Sequence, residues 1–245
     1  MFRRTVDGII LEFGNTGVLR FTNLVMYDRL TESWWQEFNG EAIVGDMTGQ
    51  KLEFLPMAMV SWAEFKKSYP DGKVLSRPAV YDRPYGKNPY VTYDTRGNEF
   101  FSNIADRRLS PMQRVVGIEF SGNALAIPHS VLKNLRIVQS TLSEQDFVVF
   151  FTENTVSALD TADIVKGRLV GSATVFDPRI DGGKLTFMIQ DNQFVDEQTG
   201  TTWNILGIAE SGPLVGTQLE PLAYHSAQFW FSWVTFKPDT EVYGP

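Results

Sequence analysis

Cysteine is absent from this 245-residue chain, and histidine occurs only twice. Without cysteine there can be no disulfide, thiolate metal site or cysteine nucleophile, although the redox compartment stays open. The two histidines do not fill that gap. His129 follows Pro128 at an expected helix start, His225 lies in Ala223-Tyr224-His225-Ser226, and neither belongs to a spaced ligand set or a Ser-His-Asp arrangement. The sequence thus predicts no metal site and no cofactor. Clustered basic residues are missing too: the formal net charge is -7, which speaks against a nucleic-acid surface and fits a solvated exterior. No apolar run approaches the roughly 20 residues of a membrane helix, and residues 1–20 have no signal-peptide core. Gly45 to Gly49 and Gly212 to Gly216 lack both a following Lys-Ser/Thr and a βαβ setting, so they bound turns and not phosphate loops. What remains is 43% hydrophobic and 13% aromatic residues with no long polar tract, the composition of a folded, soluble globular protein of unassigned compartment.

What is present is organised by repetition. Phe2 to Gly8 with Leu11 and Phe13 answers to Phe176 to Gly182 with Leu185 and Phe187, without a gap. Asp28, Thr31, Ser33 and Trp35 then answer to Asp196, Thr199, Thr201 and Trp203, after a connection six residues longer in the first copy. Gly40, Ala42, Gly45, Gly49, Leu52, Glu53 and Leu55 match Gly207, Ala209, Gly212, Gly216, Leu219, Glu220 and Leu222. Trp62, Phe65, Pro70, Asp71 and Val74 match Trp230, Trp233, Pro238, Asp239 and Val242. Four blocks in one order read as an internal duplication, a pseudo-symmetric pair and not a solenoid. The second copy has its own apolar lead, Val115 to Phe151, and the first has none, so an upstream segment and any export signal it carried are expected to precede Met1.

The local patterns are those of strands. Val6-Asp7-Gly8-Ile9 supplies the Asp-Gly pair of a type I′ hairpin, which would set Val6 opposite Ile9, Arg4 opposite Leu11 and Phe2 opposite Phe13, with Phe176 facing Phe187 in the second copy. Leu19 to Tyr27 reads as the next strand, Asp28 to Thr31 as a turn, and Ala42 to Val44 and Lys51 to Leu55 as strands around a glycine-bounded turn. Ser61 caps an expected helix carrying Trp62, Phe65 and Tyr69 as an aromatic stripe towards the sheet; Trp230 and Trp233 repeat it, in a segment that could also be strand. The expected fold class is mainly β, a β-rich α+β arrangement of two antiparallel meander units with short helices, packed as one globular body. Its parts are a first unit at 1–74, an irregular Tyr/Arg/Pro-rich connection at 75–113, and a second unit with its β lead at 114–245.

The blocks Phe2 to Gly8, Leu24 to Trp34, Gly40 to Gly45, Tyr85 to Tyr90 and Pro238 to Gly244 resemble the bacterial and archaeal domain of unknown function 3179 (DUF3179) over nearly the whole chain. The resemblance implies a soluble or exported domain and no mechanism. Members usually carry a Cys-Pro-Leu-Cys motif just upstream of the position matching Phe2, which agrees with the upstream segment expected from the repeat.

The repeated acids Asp7/Asp181, Asp28/Asp196 and Glu53/Glu220 read as turn and hairpin residues more readily than as paired catalytic acids. Trp35, Trp62, Trp203 and Trp230 suit a core better than a sugar platform. The connection offers a better ligand site: Arg77, Asp82, Arg83, Tyr85, Tyr90 and Tyr93 place planar cations and phenols on irregular backbone, suited to a carboxylate or other anion. The competing reading packs this loop between the halves, with Arg83 paired to Asp82 or Asp94. The symmetry-breaking insertion around Gly14 to Gly17 is a second possible place. Three functions remain open: a binding module for a small anionic ligand or a protein partner at the junction of the repeats; an enzyme using Arg, Tyr and Asp residues of the 77–94 loop; and a metal or redox protein acting through the upstream cysteines.

Overall fold

The computed structural model describes residues 1–78, 83–95 and 105–244. Strands β1 (Thr5–Val6) and β2 (Ile9–Ile10) pair across Asp7-Gly8, whose φ angles of 48° and 79° give the turn that Asp-Gly predicts. Then β3 (Phe13–Arg20), β4 (Asn23–Asp28), β5 (Trp34–Gln36) and β6 (Glu41–Val44) form an antiparallel meander in sequential order. Bridges Glu41↔Lys51 and Phe2↔Phe54 carry the chain back to its start. The meander thereby closes around Val6, Leu11, Trp35, Ala42 and Leu52. Helix α1 (Trp62–Ser68) follows. Its capping box is complete: Ser61 Oγ accepts from the Glu64 amide, and the Glu64 carboxylate accepts from the Ser61 amide.

The middle of the chain supplies two stacked sheets. β7 (Arg114–Phe120) and β8 (Asn123–Pro128) form a hairpin that runs into α2 (His129–Leu135), then β9 (Ile137–Leu142), β10 (Gln145–Thr152) and β11 (Ser172–Phe176) pair antiparallel with β10 in the centre. Because side chains alternate along a strand, β10 serves two cores at once. Phe147, Val149 and Phe151 join Val116, Ile118, Ile127 and Leu132, while Val148 and Phe150 join the next layer. That layer is β12 (Arg179–Ile180), β13 (Gly183–Lys184), β14 (Phe187–Gln190), β15 (Gln193–Asp196), β16 (Thr202–Trp203) and β17 (Ala209–Ser211). The last four are a second sequential meander. The chain ends with β18 (His225–Phe229), α3 (Trp230–Phe236) and β19 (Glu241–Val242), completing a sheet of order β18-β7-β8-β19 in which β19 runs parallel to β8. The fold is mainly β with several antiparallel sheets.

Several expectations change in detail. Arg4 and Leu11 do face each other, through the Leu11 amide and Arg4 carbonyl, but the hairpin arms separate beyond them. Phe2 bridges to Phe54 and Phe13 pairs with Asp28, because each arm is drawn into a different neighbouring strand. Phe176 and Phe187 likewise do not pair across the hairpin of Asp181-Gly182; both rings instead pack on Phe150, with centroids at 5.6 and 5.1 Å. The strand expected over Leu19 to Tyr27 is the end of β3 and most of β4, turned at Phe21-Thr22. β3 and β4 thus form one long hairpin, and its tip residue Phe21 meets Phe236 edge-on at 5.9 Å.

The two helices are seated reciprocally. On α3, Phe236 stacks on Phe38 at 4.3 Å and Ser232 bonds Asn23, so this helix covers the first meander. On and after α1, Lys67 pairs with Glu210, Ser68 with Asn204 and Tyr69 with Gln218, all in the second half. The burial of the two helices differs. Trp230 and Trp233 are fully buried, whereas Trp62 is 55% and Tyr69 39% exposed, so the expected inward stripe of α1 reduces to Phe65.

Candidate functional site

Asp28 and Asp196 are structural anchors. Asp28 is fully buried, accepts from the amides of Leu30 and Thr31, the Thr31 hydroxyl and, at 2.9 Å, Trp35 Nε1. Burial alone would raise its carboxyl, but the bonds from Trp35, Thr31 and Leu30 outweigh it and hold the pKa below the usual range. Asp196 is equally buried and accepts from Thr199 and, again at 2.9 Å, from Trp203 Nε1. Each carboxylate thus ties a turn to the tryptophan at the centre of its meander.

The 75–113 connection divides into pieces with different partners. The Arg77 guanidinium lies 4.8 Å over the exposed Tyr85 ring. Tyr90 is exposed and meets Tyr93 edge-on at 6.3 Å, and Tyr93 leans on Phe229 at 6.0 Å, its phenol raised by burial. Arg83 is exposed, and Asp82 lies outside the described residues. Between these, Lys87 pairs with Asp163, the Asn88 amide bonds the Ala162 carbonyl, and the Thr92 amide bonds the Asp160 carbonyl. This part of the loop is docked on the 155–168 segment.

Docking brings one acid of the loop, Asp94, into the interior. Its buried carboxylate accepts from Arg114 Nη2 at 2.8 Å and Ser157 Oγ at 2.5 Å, with Arg168 Nη2 at 3.2 Å. Burial pushes this carboxyl up, but the Ser157 bond and the two guanidinium groups win and hold it low and ionised. Asp94 therefore pairs with Arg114 and Arg168.

Arg114 and Arg168 also line a cleft of about 230 Å³, together with Gln113, His129, Ser130 and Lys133. It lies where β7 begins, α2 begins and β10 ends, closed by residues 168–171. His129 is buried against the edge of Phe151, and its Nδ1 stands 3.0 Å from the Val170 carbonyl oxygen. Burial, helped by the charge of Arg114, pulls its pKa down to about 4, so the ring is neutral at pH 7. Arg114 is stacked 4.7 Å from the Phe229 ring and its Nε has no hydrogen-bond partner. His129 Nε2 has none either. Buried polar atoms are nearly always paired, so two on residues that line one cleft single it out. Glu153, 3.8 Å from Lys133, is the carboxylate on the lining.

None of Arg77, Arg83, Tyr85, Tyr90 or Tyr93 lines this cleft; Tyr93 and Asp94 support it from behind, through Phe229 and Arg114. Arg114, Arg168, Lys133 and Ser130 escape a reading of the sequence because they sit on separate segments without spacing, and only His129 stood out there. Among the described residues no group of three or more His, Asp or Glu gathers as a metal site would require, and no helix is long and apolar enough to cross a membrane. In comparison with known proteins, the family model described as "Protein of unknown function (DUF3179)" matches residues 1–240. No curated protein and no solved structure matches the chain.

Proposed function

The chain belongs to the DUF3179 family, whose function is unknown, and from that premise we propose that it is a binding domain for a small anionic ligand, held in the cleft of Arg114, His129 and Arg168. The observation that carries this reading is the buried, unpartnered Nε of Arg114, a residue of the lining, beside Arg168 and Lys133 in a chain of net charge -7. A guanidinium fixed by Asp94, Ser157 and Phe229 is preorganised, so little ordering cost remains when an anion arrives. The cleft volume, below the roughly 300–1,000 Å³ of pockets for drug-sized ligands, suits a molecule of a few carbons.

The two meanders are, on the same reading, descendants of one duplicated unit, the first within 1–74 and the second within 114–245. The equal strand order, the paired Asp-Trp bonds and the reciprocal helices favour this. The cleft lies in the lead of the second unit, against the connection, where the repeat is broken.

Isothermal titration of inorganic phosphate and acetate at low ionic strength tests the binding reading. At least one anion should bind, more weakly as salt is raised, and Lys133→Met and Arg168→Met should each weaken it by about three- to tenfold, with Lys51→Met as a distant control. Absence of saturable binding by either anion, or equal binding by all variants, removes the proposal.

A further inference from the structure

Besides Glu153, which only accepts, and Gln113 and Ser130, which both donate and accept, the polar side chains lining the cleft are cations and a histidine. Arg114 Nε, Arg168 and Lys133 can only donate. His129 is different, because its Nδ1 faces a carbonyl oxygen, that of Val170 at 3.0 Å, and a carbonyl only accepts. The proton of the neutral ring therefore sits on Nδ1, which leaves Nε2 as a bare lone pair: a buried acceptor with no donor. A simple carboxylate satisfies the arginines and lysine and leaves this acceptor empty. A ligand that completes the lining brings both an anionic group and an O–H donor.

We infer that the cleft is selective for small hydroxycarboxylates, with the carboxylate on Arg114, Arg168 and Lys133 and the hydroxyl donating to His129 Nε2. This rests on the reading of the cleft as an anion site. A ligand of two to four carbons keeps the two groups close together and fits the cleft volume. His129 acts here as a specificity residue and no proton is transferred.

The test is a matched comparison of glycolate with acetate and of lactate with propionate, pairs that differ only in the hydroxyl. Wild type should prefer the hydroxy acid by about three- to tenfold, the effect of one added hydrogen bond. His129→Phe, which keeps an aromatic ring against Phe151 and has no acceptor, should bind both members of each pair equally. Because that variant alters a buried position, a second readout uses wild type alone. With two histidines in the chain, a long-range 1H–15N spectrum resolves the His129 ring; its Nε2 should be unprotonated and should shift with glycolate but not with acetate. Equal affinity for hydroxy and plain acids, or an Nε2 signal indifferent to glycolate, overturns the selectivity while the anion site stands. Failure of all four acids and of phosphate to bind overturns the anion site itself.

Discussion

Asp28→Asn exchanges one oxygen for an NH2 with almost no change in volume, and so isolates what the buried carboxylate does. Asp28 accepts bonds of 3.1 and 2.6 Å from two backbone amides, 2.8 Å from Thr31 Oγ1 and 2.9 Å from Trp35 Nε1. An asparagine keeps one acceptor oxygen. If that oxygen serves the amides, the new NH2 confronts the indole N–H; if it serves the indole, the NH2 confronts both amides. Charge-assisted bonds contribute about 1.5–3 kcal/mol each and a stranded buried donor costs about 1–3 kcal/mol, so the variant should lose about 3–5 kcal/mol. That is a large share of the 5–15 kcal/mol typical of whole proteins, and near 2–4 °C per kcal/mol it lowers Tm by about 10 °C. Asp196→Asn should lose a similar or slightly smaller amount, since Asp196 holds the same indole contact but bonds one backbone amide fewer. Urea unfolding followed by far-UV circular dichroism measures both. The sign with pH follows from the lowered folded pKa of Asp28. Its stabilisation is complete above the unfolded value of about 3.9 and fades as pH falls through the folded value, so wild type and Asp28→Asn should converge in acid. A loss below about 1 kcal/mol in either variant at pH 7 would refute the anchoring role, and a large loss in only one would count against equivalent units.

Two further outcomes are expected. His129 and His225 are both pulled down to about 4, chiefly by burial, His225 lying between the rings of Phe38 and Phe54 at 4.6 Å each. Between pH 6.5 and 4 the unfolded chain thus binds more protons, and stability should fall as pH drops across that window, by up to roughly 3 kcal/mol per histidine; a flat profile in denaturant titrations from pH 7 to 4.5 would contradict this. At Gly117 a Cβ would stand 2.2 Å from the Trp233 ring. Gly117→Ala should therefore cost about 2–3 kcal/mol with altered tryptophan emission, and near-wild-type stability would show that β7 and α3 pack less closely than described.

The meanders and their turns are legible in the sequence because their signals are local. Asp7-Gly8 dictates its own turn, and the unbroken apolar run Phe147 to Phe151 marks a strand buried on both faces, which supplies two cores. The partners of hairpin arms are not local, which is why Phe2 and Phe13 part. The seats of the helices are not legible either: Trp62 and Trp230 align by sequence, yet nothing in the alignment tells which meander each helix covers. The cleft is further from view. Asp94, Arg114, His129, Ser157 and Arg168 come from five segments, and an atom's lack of a partner exists only in three dimensions.

The crossed seating of the helices bears on how the chain is made. The Ser232 hydroxyl that bonds Asn23 emerges from the ribosome 209 residues later, roughly 10–40 s at usual elongation rates. Until then the first meander exposes Phe38, which is 4% exposed in the finished fold, and α1 waits beside a neighbour not yet synthesised. Final closure is thus a late, long-range event, slow by the nature of such loops, and the nascent amino-terminal half is the stage at which a chaperone would matter most.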